Sequence, residues 1–178
     1  MQFKEPSDTG ALPTKSADLL RLLSEGQNVV LSHELFKLLN DTAIDCIKEF
    51  DYTLFLDEEI EVVEQSGITQ DDLKILKEQR LIETDPTSKR VMWLNSQYHG
   101  DFERIKREIQ QKALYEVELN IILWQLPPGI FEAFHQVYIM TFLFRGSMLY
   151  LYFQKNGISF QYLHVEKDSQ GKYYFSQG

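Results

Sequence analysis

The chain has 178 residues, 43% of them hydrophobic and 13% aromatic, which suits one ordinary domain or two small ones and excludes a disordered polymer. Its net charge of −9 disfavours autonomous, non-specific DNA binding, because an acidic surface repels phosphate backbones at long range. No apolar run approaches the roughly 20 residues of a membrane span, and the first residues lack a signal peptide's basic start and apolar centre, so a cytoplasmic location is expected. The single cysteine, Cys46, forbids an internal disulfide, rules out a multi-cysteine zinc site and reads as a packed apolar residue.

Residues 1–15, with Pro6, Gly10 and Pro13, read as a flexible arm that orders on contact. From Ser16 a helix is expected, with Leu19, Leu20, Leu22 and Leu23 as its apolar stripe and Gly26 as its stop. A short apolar run follows over 29–31. Ser32 then caps a second helix carrying Leu35, Phe36, Leu38 and Leu39, and a continuation of helix is expected over 42–50 with Ile44 and Ile47 inward. The acid is segregated: between Asp41 and Asp72 stand eleven acidic residues and one base, Lys48. Such a run is most often a solvated face, and its other use is to meet a basic partner. Residues 53–65 place Leu54, Phe55, Ile60, Val62 and Val63 among five acids and are expected to form an amphipathic helix.

The most legible stretch is 67–94. Thr69 is an N-cap with Asp72 in the acidic position of a capping box, and Leu73, Leu76 and Leu81 recur at helical spacing. An extended segment from Ile82 turns at Asp85-Pro86-Thr87-Ser88 and returns through Arg90 to Leu94. Helix, turn, helix and wing in this order outline a winged-helix-like domain over 16–97. A long linking helix is expected over 98–122, where Phe102, Ile105 and Ile109 recur among charged residues. Pro127-Pro128-Gly129 breaks the pattern, and a short helix is expected over 130–136.

The last part, 123–178, is expected to hold an antiparallel β-meander with strands over 138–144, 149–154, 159–165 and 172–175. Asn156-Gly157 is its clearest tight turn, since both residues tolerate positive φ. Strand alternation would put Tyr150 and Tyr152 on one face, and the many aromatics imply two apolar faces. The long helix would cover one, and a partner or second protomer the other, making Tyr150, Tyr152, Tyr162 and Tyr174 candidate interface residues. The fold class is thus α+β: a winged-helix-like region, a linking helix and a C-terminal antiparallel meander.

No catalytic constellation stands out. His33, His99, His135 and His164 fall on different elements without metal-ligand spacing, and neither a phosphate-binding glycine loop nor a nucleophile elbow is present. No enzyme, cofactor or metal is therefore expected.

Two resemblances bear on function. Phe142-Leu143-Phe144-Arg145-Gly146-Ser147 resembles the FLVR-E-S strand of Src-homology type two domains, with FQYLHVEKDSQGKYYF similar to the strands that follow there. That resemblance implies a phosphotyrosine clamp by Arg145, assisted by Ser147. Residues 12–94, through LPTKSADLLRLL, the acidic segment from Phe50 and LKILKEQRLIET, resemble small winged-helix accessory subunits of bacterial SMC-type and related three-component ATPase assemblies, including those of plasmid or phage defence. This implies a non-catalytic adaptor that binds a larger protein subunit, any contact with DNA being made by the assembly. Lys89 and Arg90 at the wing tip, and Arg104 and Arg107 on the linking helix, are the basic groups suited to a phosphate backbone. A third class is an acidic secretion chaperone or toxin-neutralising protein. A neighbouring gene for a secreted protein or toxin would signal that class, and phosphopeptide binding lost in Arg145→Ala would signal the phosphotyrosine-binding one.

Overall fold

The computed structural model describes residues 2–9, 14–110, 114–117 and 121–177, which divide into two compact units, Met1–Phe142 and Leu143–Gly178. The fold class is α+β with antiparallel strands at the C-terminal end. In the first unit, α1 (Lys15–Ser24), α2 (His33–Lys37) and α3 (Asp41–Glu49) each begin at a side-chain cap. Thr14, Ser32 and Asn40 accept from the backbone N–H three residues on, which satisfies a donor the helix leaves open. Leu19, Leu23, Leu35, Ala43 and Ile47 from these helices share a core with Ala133. The arm is tied to its own chain: Lys4 N–H donates to the Asn28 carbonyl and the Lys4 carbonyl accepts from Val30 N–H, around a parallel bridge to Val29, and Ser7 N–H donates to Asp18. Leu12 and the arm's Gly10 and Pro13 lie outside the described residues.

The helix expected over 53–65 is instead two strands, β1 (Thr53–Leu56) and β2 (Val63–Gln65). Leu54, Leu56, Ile60 and Val62 are all buried, so the burial runs with the period of a strand through a run of acids. What fixes the strands is pairing with distant chain: β1 lies parallel to β7 (Gln136–Ile139), and β2 lies antiparallel to β6 (Ile121–Gln125). The helix-turn-helix outline is therefore strand, turn, helix.

The helix and hairpin over 69–94 are present as α4 (Gln70–Glu78), β3 (Ile82–Thr84) and β4 (Val91–Trp93). Thr69 Oγ1 accepts from the Asp72 N–H at 3.1 Å and donates to its carboxylate at 2.8 Å. At the hairpin turn one Asp85 oxygen accepts from the Thr87 and Ser88 N–H groups and the Ser88 hydroxyl. The linking helix is shorter than its pattern: α5 covers Glu103–Gln110, and β5 (Leu114–Val117) with β6 then forms a hairpin, giving a sheet ordered β2-β6-β5. Lys112 and Leu119, assigned to that helix from sequence, lie outside the described residues. Leu73, Leu76, Leu81, Val91, Ile105 and Ile122 form the second core of this unit. The boundary expected at 123 falls inside β6. A short α6 (Gly129–Glu132) leads into β7.

In the second unit the strand expected over 149–154 is a helix, α7 (Met148–Asn156). Ser147 caps it, accepting from Tyr150 N–H at 3.1 Å, and Gly157 closes it in the left-handed region at φ 68°. The positive φ read as a hairpin turn serves a helix C-terminus. The Tyr138–Phe144 strand is likewise replaced by β7, which ends at Ile139. Two of the four expected meander strands remain, as β8 (Leu163–Lys167) and β9 (Tyr173–Gln177), paired antiparallel.

Candidate functional site

The β8–β9 hairpin presents two unlike faces. In its register Val165 faces Phe175 and Lys167 faces Tyr173, so these side chains and Leu163 share one side. On the other side, Glu166 accepts from the hydroxyls of Tyr174 (2.9 Å) and Ser176. These two bonds, Ser176 first, hold the Glu166 carboxyl below the usual glutamate range. The apolar side is open to solvent: Val165 is 63% exposed and Phe175 72%, and all five residues of β8 are exposed. The Lys167 ammonium sits 5.3 Å from the Tyr173 ring centre.

The tyrosines singled out from the sequence part company. Tyr174 belongs to the polar side of the hairpin. Tyr152 is buried on α7, and the expected face shared by Tyr150 and Tyr152 does not form, because on a helix Tyr150 neighbours Gln154, whose amide donates to its hydroxyl at 2.8 Å. Tyr150 and Tyr162 instead join Phe144, Phe153 and Phe160 in an aromatic cluster with ring centres 5.3 to 6.0 Å apart. Arg145 is an exposed residue of the turn before α7, its guanidinium 4.8 Å from the Tyr162 ring centre. Ser147 uses its oxygen as the α7 cap.

The basic candidates do not share one described contact. Lys89 is exposed with φ 60°, its carbonyl accepts from Glu116 N–H, and its charge acts on the carboxylates of Asp85 and Glu116. Arg90 is half-buried and bridges to Tyr115. Arg104 pairs with Glu108 on α5, where Arg107 is exposed.

Two features escaped the sequence reading. Phe55 and Tyr138 stand opposite one another in the β1–β7 ribbon with rings stacked 5.1 Å apart at 12°. Phe55 is 63% exposed, and Tyr138 and Met140 are exposed beyond it. The alternation of Leu54 and Leu56 about Phe55 carried the signal, but its partner strand lies some 80 residues away in sequence. The second feature is Lys37, whose side chain is 8% exposed and faces Glu34, Glu61 and Glu64. Burial pulls its pKa down, but the bonds to Glu64 and Glu34 outweigh this and leave it raised.

Among the described residues, no group of three or more His, Cys, Asp and Glu side chains is placed to hold a metal ion, and no helix is long and apolar enough to cross a membrane. The arrangement is that of an α+β protein with apolar sheet faces turned to solvent. Residues 63–124, from the start of β2 to the penultimate residue of β6, match the YonV middle domain. The chain is 33% identical, over 178 aligned positions and 94% of its length, to the SPbeta prophage-derived uncharacterized protein YonV of Bacillus subtilis (strain 168). It spans 43% of that relative, less than half. No solved structure matches.

Proposed function

We propose that this chain is a non-catalytic docking subunit of a larger protein assembly. The open apolar side of the β8–β9 hairpin carries the reading. A two-stranded hairpin is marginal in water by itself, and it gains stability when a third strand or a packed layer covers its apolar side. Leu163, Val165, Tyr173 and Phe175 are exposed, and large exposed apolar surfaces mark interaction sites. The segregated acid supports a protein partner over a nucleic acid, and any contact with DNA is made by the assembly. The prophage-derived relative supports an assembly carried by a phage or plasmid, in keeping with the resemblance to accessory subunits of defence complexes.

Co-expression with the proteins encoded beside this chain, followed by light scattering, tests the proposal. The expected result is a complex of defined mass with one of them, lost when Val165 and Phe175 are both changed to aspartate. A monomer in every combination, or a complex indifferent to Val165→Asp and Phe175→Asp, overturns it.

A further inference from the structure

We infer that the outward face of the β1–β7 ribbon is a second docking surface, and that it takes an extended partner segment bearing arginine or lysine beside apolar residues. The inference rests on the docking reading above and adds the chemistry of what is docked. Strand alternation sends Leu54 and Leu56 inward and turns Phe55 out against Tyr138, leaving a flat aromatic pair with Met140 beside it. Two residues beyond Phe55 the chain becomes acidic with Asp57, Glu58 and Glu59, followed by Glu61. The side chains of Glu58 and Glu61 are both 76% exposed. Thr141 donates to Glu59 at 2.9 Å, which ties this acidic loop to the chain leaving β7.

The cations nearby do not cancel that charge. Lys37 is enclosed by Glu34, Glu61 and Glu64, and His33 stands 3.9 Å from Glu58 and counts as a cation only when protonated. A partner guanidinium or ammonium is thus favoured twice, by the ring faces and by the carboxylates beside them. The same carboxylates repel phosphate, which disfavours a nucleic acid stacking its bases on the rings. A wholly apolar partner would desolvate the acids without replacing their water. Among the described residues the ribbon is two strands wide, with no third strand paired to either edge.

The test is fluorescence anisotropy with three labelled probes: a short peptide alternating arginine and leucine, its glutamate–leucine counterpart, and a single-stranded oligonucleotide. The expected result is salt-sensitive binding of the arginine peptide alone. Phe55→Ala should weaken it about tenfold, and so should Asp57→Asn combined with Glu58→Gln. Phe55 is exposed and the acids lie in a loop, so circular dichroism should show both variants folded. No binding of the arginine peptide, binding unchanged in folded variants, or oligonucleotide binding lost in Phe55→Ala overturns the inference. If the peptide fails while the Val165 and Phe175 changes still break the assembly, this surface is wrong and the docking reading stands.

Discussion

Lys77 on α4 donates to the carboxylate of Glu116 on β5, 39 residues further along the chain, and Thr84 of β3 donates to the other oxygen of the same carboxylate. One side chain therefore ties the helix, the hairpin and the sheet of the segment that matches the YonV middle domain. Burial pushes the Glu116 carboxyl up, but the bonds from Lys77 and Thr84 outweigh it and hold it below the ordinary value near 4.5. Because the folded-state value is the lower one, its stabilisation is complete above the unfolded value and fades as pH falls through the folded one. Glu116→Gln should cost about 1–3 kcal/mol in urea unfolding at neutral pH. The gap between variant and parent should close in acid, and a gap independent of pH would contradict the assignment.

Lys37 is the ammonium that three carboxylates share, and its Nζ lies 5.8 Å from the Trp124 ring centre. Lys37→Met keeps the stem and leaves Glu34, Glu61 and Glu64 to repel one another. Glu34 and Glu61 are largely exposed, so the expected loss is modest, about 1 kcal/mol. It should shrink in high salt, where the repulsion is screened. Denaturant titrations of parent and variant at low and high ionic strength measure this.

A buried lysine on α5 sets a loop. Lys106 Nζ donates to the carbonyls of Ser96 at 3.0 Å and Tyr98 at 2.7 Å. Lys106→Met should leave both carbonyls without that donor, cost about 1–3 kcal/mol, and speed hydrogen exchange over residues 95–100 more than in α4. Equal exchange in the two regions would show that Lys106 does not hold the loop.

The ends of α7 give a test of its helical state. Ser147→Ala removes the cap and should cost about 1 kcal/mol. Gly157→Ala meets no atom within 4 Å, so its cost is the left-handed backbone alone, again about 1 kcal/mol. Both should reduce the helical signal in far-ultraviolet circular dichroism as they lower the melting temperature, whereas a strand over 149–154 would leave that signal unchanged.

What the sequence determined by itself was local. Thr69 with Asp72, Ser32 before α2 and Asp85 in the hairpin turn act within three residues, so their caps and turns could be read from spacing, and the α+β class followed from them. Tertiary structure decided wherever one pattern suits two elements. Residues 149–153 are apolar without a break, and it is burial at helical spacing, Leu149 with Tyr152 and Phe153, the last packed against Phe144 and Phe160, that goes with a helix there. Residues 53–65 mix acids and aliphatics in a way a helix could also bury, and pairing with strands at 121–125 and 136–139 makes them strands. That pairing also sets Phe55 against Tyr138, an aromatic surface that exists only once two distant segments meet.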